Sequence, residues 1–311
     1  MNVLKLPLAS EAVDRSGELR LKPDELANLW KSARILHFAS GKFRVKPNYE
    51  LDFQSADQID QLRSEAKFAH GEELFLGIDK GISYFAWCSD AADFESFETF
   101  ENYQTLRTLG DYLSQLEMGL AIHSQAIANW HHTHQFCARC GAPTLSANGG
   151  SLRKCSSDGS EHYPRTDGAV IVLVKDQEDR VLLGRQKIWP EKRFSCFAGF
   201  VEPGESFEQT VLREVFEESA IRADSITYLG SQPWPFPASI MISFSALATN
   251  PDEAKADGEE IEEIRWLTRD QMRDAIADKS LTLPPSMSVA RKMIEFWYEK
   301  NGADVRDLLG K

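Results

Sequence analysis

The chain has no long apolar run. None of its 311 residues belongs to a stretch near the ~18 apolar residues that a bilayer-spanning helix needs. The first twenty residues also lack the charged-then-apolar pattern of a secretory signal. We therefore expect no membrane partner and a cytoplasmic enzyme.

Cysteine is scarce, and the count is odd. The five cysteines cluster towards the middle of the chain, which does not fit a disulfide framework: Cys88, Cys137, Cys140, Cys155 and Cys196. Positive charge is also in deficit, and the net charge of −13 argues against a general nucleic-acid coat protein. An anionic substrate would need divalent cations to approach such a chain.

Carboxylates are abundant, and one segment concentrates them. The stretch 199–221 places Glu214, Glu217 and Glu218 at spacings i, i+3 and i+4, which puts all three on one face of a helix. Such a cluster of hard oxygen ligands suits Mg²⁺ or Mn²⁺, ions that usually also bind substrate phosphates. The alternative is a solvated acidic helix.

Local signals predict where this helix begins. Pro203-Gly204 marks a turn, Ser206 can cap the helix N-terminus, and Gln209 completes a capping box three residues later. The turn, the cap and the carboxylates therefore all fit one helix that begins after Ser206, which favours a metal-binding helix.

A second motif lies in residues 231–239, SQPWPFPAS. Its three prolines stiffen the loop, so Trp234 and Phe236 are held at small entropic cost. Their flat faces can stack on a purine or pyridine ring. The alternative is a Pro-rich connector with a core tryptophan.

The cysteines Cys137 and Cys140 form a CxxCG knuckle, and Cys155 follows fourteen residues after its glycine. This spacing is typical of a zinc ribbon, but Asp158 stands where a fourth cysteine belongs. Three outcomes stay open. Asp158 supplies an oxygen ligand, His162 supplies a nitrogen, or the ribbon folds without metal. Bound Zn²⁺ would be structural, since a closed site leaves no open position.

The segment 199–221 resembles the Nudix box. The matching positions are Gly199, Glu205, Arg213, Glu214, Val215, Glu217, Glu218 and Ile221. The one departure is Ala220, where the family usually has glycine, and we expect only a small local shift there. The SQPWPFPAS motif resembles an array of the NADH pyrophosphatase branch, whose members commonly carry a four-cysteine ribbon.

The residues and this resemblance together define a candidate site. We expect Glu205 and Arg213 to brace the junction between loop and helix through a charge-assisted hydrogen bond.

The resemblance implies two further metal ligands beside the box glutamates. They are the carbonyl of Ala198 and the later Glu263, and Glu259, Glu260 and Glu262 could compete with Glu263 for this role. The candidate metal ligands are Ala198, Glu214, Glu217, Glu218 and Glu263. The candidate catalytic residues are Glu217, Glu218 and Glu263. The candidate substrate-binding residues are Tyr163, Phe200, Gln232, Trp234, Phe236, Ser239 and Ala290.

The resemblance implies an activity. It is metal-dependent hydrolysis of NADH or NAD⁺ to nicotinamide mononucleotide and AMP, with removal of 5′ NAD caps from RNA as a further possibility. It also implies a homodimer. Two alternatives are a broader nucleoside diphosphate-X hydrolase, acting on ADP-ribose or dinucleoside polyphosphates, and a non-catalytic module that binds NAD or RNA.

The fold class we expect is α/β (α+β), with a Nudix α/β/α sandwich domain. We divide the chain into a mixed α/β N-terminal domain with a long linking helix (1–130), a zinc-ribbon-like segment (131–165) and a catalytic domain (166–311). The apolar stripe within 104–134 predicts one long helix, and helices are also expected at 269–277 and 286–299. Residues 90–101 are expected in a loop or on a helix surface. The expected strands are 33–39, 73–79, 82–87, 169–174, 180–185, 226–231, 239–248 and 261–267.

Overall fold

The computed structural model describes residues 4–10, 13–64, 71–89, 102–300 and 302–309. The chain forms two compact units. The ribbon unit comprises Ser10–Thr166 and Trp234–Ala238, and the box unit comprises Met1–Ala9, Asp167–Pro233 and Ser239–Lys311. The three-part division made from the sequence stays a prediction, and the acidic stretch 90–101 lies outside the described residues.

Two sheets lie in the described residues of the ribbon unit. The first is five-stranded, in the order β3-β4-β1-β2-β5, and only β1 and β4 pair in parallel within it. Its strands are β1 (Arg34–Ala39), β2 (Lys42–Arg44), β3 (Gly71–Asp79), β4 (Ile82–Ser89) and β5 (Tyr103–Gln104). The second sheet is an antiparallel array of β6 (Thr144–Ala147), β7 (Leu152–Cys155) and β8 (Glu161–His162).

The described residues of the ribbon unit form four α-helices: α1 (Pro23–Trp30), α2 (Ala56–Ser64), α3 (Leu106–Leu109) and α4 (Gln115–Thr133). The single long helix expected within 104–134 is therefore wrong. A new helix begins after Ser114, because the Ser114 hydroxyl accepts from the amide of Glu117 while the Glu117 carboxylate accepts from the amide of Ser114. This capping box ends any continuity with α3.

The box unit is built on one six-stranded sheet. Its strands run in the order β12-β13-β9-β10-β14, and β11 also pairs with β9. They are β9 (Asp167–Lys175), β10 (Val181–Gln186), β11 (Phe197–Phe200), β12 (Ala223–Trp234), β13 (Ser239–Ala248) and β14 (Ile261–Leu267). The helices are α5 (Phe207–Ser219), α6 (Arg269–Ala277) and α7 (Val289–Glu299).

The central strand β9 separates two apolar layers. Val170 and Val172 point into a core that contains Val211 and Val215 of α5. The alternate residue Ile171 points into the opposite core, which contains residues of α6 and α7. Side chains of a strand alternate between its faces, so α5 covers one face of the sheet and α6 and α7 cover the other. The expected α/β/α sandwich is confirmed.

None of the helices in the described part of the chain is both long and apolar enough to span a bilayer.

Candidate active site

The box helix α5 begins as the sequence predicts. The Ser206 hydroxyl accepts from the amide of Gln209, and the Gln209 side chain accepts from the amide of Ser206. Val211 and Val215 are fully buried in the core under the helix. This anchoring fixes the rotation of α5 and so fixes where its glutamates point.

Glu218 is a buried carboxylate that forms no ion pair with any residue in the described part of the chain. Its side chain is only 4% exposed, and its Oε2 has no hydrogen-bond partner among the described residues. The pKa of Glu218 is raised to about 9. Burial is the largest cause, and the charges of Glu260 and Glu214 raise the pKa as well, whereas a hydrogen bond from the backbone of Ala198 lowers it. An unpartnered buried oxygen beside two other carboxylates is the environment that a bound cation would stabilise.

Glu214 packs its carboxylate directly against the backbone of Gly199. A Cβ at position 199 would overlap both carboxylate oxygens, so only glycine leaves room for this approach. Burial raises the pKa of Glu214, although Arg213 partly opposes that increase. The glycine at the start of the box is therefore required by the position of a carboxylate in the helix.

Arg213 connects the loop and the helix. Its guanidinium donates from Nε and Nη2 to the two oxygens of Glu205, at 2.7 and 2.9 Å. This bidentate pair holds the pKa of Glu205 down to about 2. The expected brace is confirmed. Arg213 also donates to Glu214 and Glu217, at 2.8 and 3.1 Å, which the sequence did not indicate.

The end of α5 carries backbone strain. Ala220, the C-cap, lies in the left-handed region with φ 57° and ψ 10°. This conformation favours glycine, because the alanine Cβ crowds its own carbonyl there. The departure from the family pattern at this position therefore costs stability, and the helix nevertheless keeps its glutamates together.

The structure places Glu263 away from the box helix. A β-bulge sits in β14, where Gln186 pairs with Ile261 and Arg185 pairs with Glu263. The extra residue is Glu262, so both glutamates turn towards Arg185. Glu263 accepts from Nε of Arg265 at 2.7 Å, and the Arg265 guanidinium lies over Phe194 in the core opposite α5.

Glu260 is the later glutamate that approaches the cluster. It stands just before β14, and its charge raises the pKa of both Glu218 and Glu214. The Glu260 carboxylate accepts from Nε2 of Gln186 at 2.5 Å. Glu260 was an open alternative from the sequence, and the bulge that separates it from Glu263 depends on pairing with β10, which no local pattern indicates.

Three candidate substrate-binding residues of the box unit are buried. Gln232 is 1% exposed, and its amide is occupied because Oε1 accepts from the amide of Leu8 and Nε2 donates to the carbonyl of Met287. Ala290 is also 1% exposed and packs in the core beneath α7. Ser239, at the start of β13, is buried as well. The structure therefore places these three residues within the fold rather than on its surface.

Two candidate ring-stacking residues are exposed. Phe200, at the end of β11 in the box unit, is 59% exposed. Tyr163, in the ribbon unit, is 65% exposed, and its hydroxyl donates to Glu161 at 2.7 Å. Large aromatic side chains left in solvent are available to stack on a flat ring.

Trp234 and Phe236 form a T-shaped pair within the ribbon unit, with ring centroids 4.9 Å apart. The guanidinium of Arg107 lies 3.9 Å from the centroid of Phe236 and 5.4 Å from that of Trp234. The loop is also held by hydrogen bonds from Gln125 and Asn129 of α4 to the carbonyls of Pro235 and Pro237. No sequence signal linked α4 or Arg107 to this loop.

The ribbon brings four ligand atoms together. The thiols of Cys137, Cys140 and Cys155 and a carboxylate oxygen of Asp158 all lie within 4.8 Å of one another. Hydrogen bonds from Ser160 lower the pKa of Asp158 to about 2, so the carboxylate is ionised. All five cysteines are free thiols, and the donor set of three sulfurs and one oxygen fits a tetrahedral Zn²⁺ site.

Comparisons with known proteins agree with this architecture. Residues 164–285 match the family model of the NUDIX domain, and residues 132–163 match that of the NADH pyrophosphatase zinc ribbon domain.

The NAD-capped RNA hydrolases NudC of Mycobacterium bovis and Mycobacterium tuberculosis are each 37% identical over 303 residues, covering 94% of this chain and 95% of theirs. The human NAD-capped RNA hydrolase NUDT12 is 37% identical over 201 residues, covering 61% of this chain and 43% of its own. The chain therefore belongs to the Nudix hydrolase family, in the branch whose members join an NADH pyrophosphatase zinc ribbon to a Nudix domain.

Proposed function

We propose that this chain hydrolyses the pyrophosphate of NADH or NAD⁺ to nicotinamide mononucleotide and AMP, and that it removes 5′ NAD caps from RNA. The names of the relatives, NAD-capped RNA hydrolases, support both substrates. The observation that carries the proposal is the buried Glu218, with one orphaned oxygen, beside the half-buried Glu214 in a helix that keeps the glutamates of the Nudix box.

The residues of the box unit fit Mg²⁺ or Mn²⁺. We propose Glu214, Glu218 and Glu260 as ligands, together with the backbone carbonyl of Ala198, and Glu217 at the exposed edge. These are hard oxygen donors, as such cations prefer. A cation held by these residues would neutralise charge at the pyrophosphate and would lower the pKa of a bound water.

The protein groups have separable roles in this scheme. Arg213 fixes the loop and helix together through Glu205, so the carboxylates keep their spacing during turnover. Glu217 is held by Arg213 on one side, and its side chain is otherwise exposed, so it is available to accept a proton from water near the cluster. Glu218 is too deeply buried to be the first choice for that step.

We propose Glu260 in the role that the sequence assigned to Glu263. Glu263 is paired with Arg265 on the face of the sheet opposite α5, whereas Glu260 lies near Glu218. Glu260→Gln should lower the rate of AMP release from NADH at least tenfold, as loss of a ligand or its support usually does. Glu263→Gln is the matched control, and equal losses in the two variants would contradict this assignment.

Each unit offers aromatic side chains that can stack on a base. We propose that Phe200 and Tyr163 stack on substrate rings, and that Trp234 and Phe236 form a preformed aromatic wall that Arg107 holds in place. Gln232, Ser239 and Ala290 then act as buried supports. Replacing Phe200 by Ala should raise KM for NADH more than it lowers kcat, because stacking contributes mainly to binding.

The ribbon site is proposed as structural. Cys137, Cys140, Cys155 and Asp158 would hold one Zn²⁺ in a closed tetrahedron, which leaves no open position for catalysis.

We also propose that the enzyme is a cytoplasmic homodimer. Light scattering on the purified full chain tests the oligomeric state, and a monomeric mass at micromolar concentration would contradict it.

One incubation separates this function from the alternatives. The full chain with Mn²⁺ is given NADH, ADP-ribose or a dinucleoside polyphosphate in parallel, and AMP is measured. The proposal expects NADH to be cleaved with the highest kcat/KM and Glu218→Gln to abolish turnover without loss of the fold. Preference for ADP-ribose would favour the broader hydrolase, and absence of AMP from every substrate would favour a binding module.

A further inference from the structure

Gln186 is the last residue of β10, and it belongs to none of the motifs recognised in the sequence. It pairs with Ile261, whose side chain lies in the core shared with α5. Directly opposed residues of an antiparallel pair have their side chains on the same face. Gln186 therefore projects from the face of the sheet that carries the box helix.

The backbone that carries Glu260 is fixed separately. The two carboxylate oxygens of Asp257 accept from the amides of Glu259, Glu260 and Ile261, at 2.8 to 3.2 Å. The ammonium of Lys187 donates to the carbonyl of Gly258 at 2.7 Å. These contacts set the turn before β14 but leave the Glu260 side chain to be oriented by another group.

The Gln186 amide is the group that orients it. Its Nε2 donates to Oε1 of Glu260, and the other oxygen of that carboxylate accepts no hydrogen bond from the residues that the structure describes. A neutral amide directs a carboxylate without cancelling its charge, whereas an arginine neutralises it, as Arg265 does for Glu263. The contact with Gln186 therefore orients the Glu260 carboxylate without pairing it with a cation.

We propose that Gln186 is a positioning residue, which holds the Glu260 carboxylate towards Glu218 and so strengthens divalent-cation binding by the box glutamates. The inference rests on the proposed role of Glu260 as a cation ligand. Groups that orient a metal ligand typically change metal affinity by about 10- to 100-fold when they are removed.

Gln186→Met tests this, because methionine keeps the length of the side chain and removes the amide donor. Binding of Mn²⁺ to the purified full chain is measured by the electron paramagnetic resonance signal of the free ion, without substrate. The matched control is Gln177→Met, which removes an amide that donates to the carbonyl of Ala248 in the same unit. Melting curves without added Mn²⁺ confirm that each variant folds.

The dissociation constant for Mn²⁺ should rise about tenfold in Gln186→Met and stay within about twofold of the parent in Gln177→Met. In a Glu260→Gln background, Gln186→Met should cause no further loss, because Gln186 acts through Glu260. Parental Mn²⁺ affinity in Gln186→Met, or an additional tenfold loss in the double variant, would overturn the inference.

The two proposals fail in different ways. A parent protein that binds Mn²⁺ but releases no AMP from NADH would refute the proposed function, and the binding comparison would still decide the role of Gln186. A parent that cleaves NADH while Gln186→Met binds Mn²⁺ normally would refute only the role of Gln186.

Discussion

The Glu214 carboxylate lies in the space that a side chain at Gly199 would occupy. The residues belong to different elements, since Gly199 lies in β11 and Glu214 lies in α5. The first glycine of the box and the glutamate that follows Arg213 are therefore complementary in shape, and Arg213 ties the same carboxylate to Glu205.

Gly199→Ala should displace the Glu214 carboxylate and lower kcat about a hundredfold, because small misplacements of reacting groups are costly. Steady-state hydrolysis of NADH measures the effect. Gly168→Ala is the matched control on the neighbouring strand β9, since the nearest neighbours of its Cβ would be the side chains of Val201 at 3.5 Å and Phe207 at 3.9 Å, which are ordinary van der Waals contacts. A Gly199→Ala enzyme as active as the Gly168→Ala enzyme would show that this packing does not matter.

The buried Glu218 should make stability depend on pH when no catalytic cation is bound. Its folded-state pKa is raised to about 9, so the folded protein keeps a proton that the unfolded chain loses near the ordinary glutamate pKa. The unfolded state then binds fewer protons, and stability falls as pH rises from the ordinary value through about 9.

Glu218→Gln cannot ionise and should escape this loss. Without added Mg²⁺ or Mn²⁺, the variant should melt several degrees above the parent at about pH 8, and the difference should shrink at about pH 5. Differential scanning calorimetry measures both. A gap that does not change with pH would mean that the carboxylate is stabilised by some other group.

Ala220→Gly should stabilise the protein by about 1 kcal/mol, because glycine adopts the left-handed conformation of this C-cap without steric cost. Urea unfolding measures the difference. Ala277→Gly, at the end of α6 in a helical conformation, is the control and should destabilise instead. Destabilisation by both substitutions would mean that chain entropy outweighs strain at position 220.

The ribbon should contain about one Zn²⁺ per chain. Asp158→Ala should lose most of it, because the three thiols would lack their fourth partner, whereas His162→Ala should retain it. Elemental analysis of the purified proteins measures the content. Retention by Asp158→Ala with loss from His162→Ala would move the fourth ligand to the histidine, and a metal-free parent would remove the site altogether.

Local signals made much of the box unit predictable. The cap of α5, its glutamates and the strands around it depend on neighbouring residues in the chain, and the structure reproduces the helix of the box from Phe207 to Ser219. The brace between Glu205 and Arg213 was also predictable. Glu205 lies in the loop just before α5, and Arg213 follows it by eight residues, about two helical turns into α5.

Features set by distant pairing were not predictable. The bulge that turns Glu262 and Glu263 towards Arg185 depends on the register with β10, so counting back from Trp266 reached a residue on the face of the sheet opposite α5. The amide of Gln232 meets partners at Leu8 and Met287, far away in the sequence. Burial of Ala290 likewise follows from the packing of α7, which a sequence match cannot reveal.

The break between α3 and α4 was missed for a different reason. Ser114 and Glu117 have the spacing of a capping box, but the apolar stripe on both sides continues at helical spacing and suggested one helix. Periodicity reports which face is buried, whereas a cap reports where a helix starts. The cap was the stronger signal here.

Anomalous diffraction from crystals soaked in Mn²⁺ with a non-hydrolysable dinucleotide tests the central claim most directly. We predict manganese peaks about 2 Å from carboxylate oxygens of Glu214, Glu218 and Glu260. At saturating Mn²⁺, an empty map among these three side chains would contradict the proposal that they hold the catalytic cation.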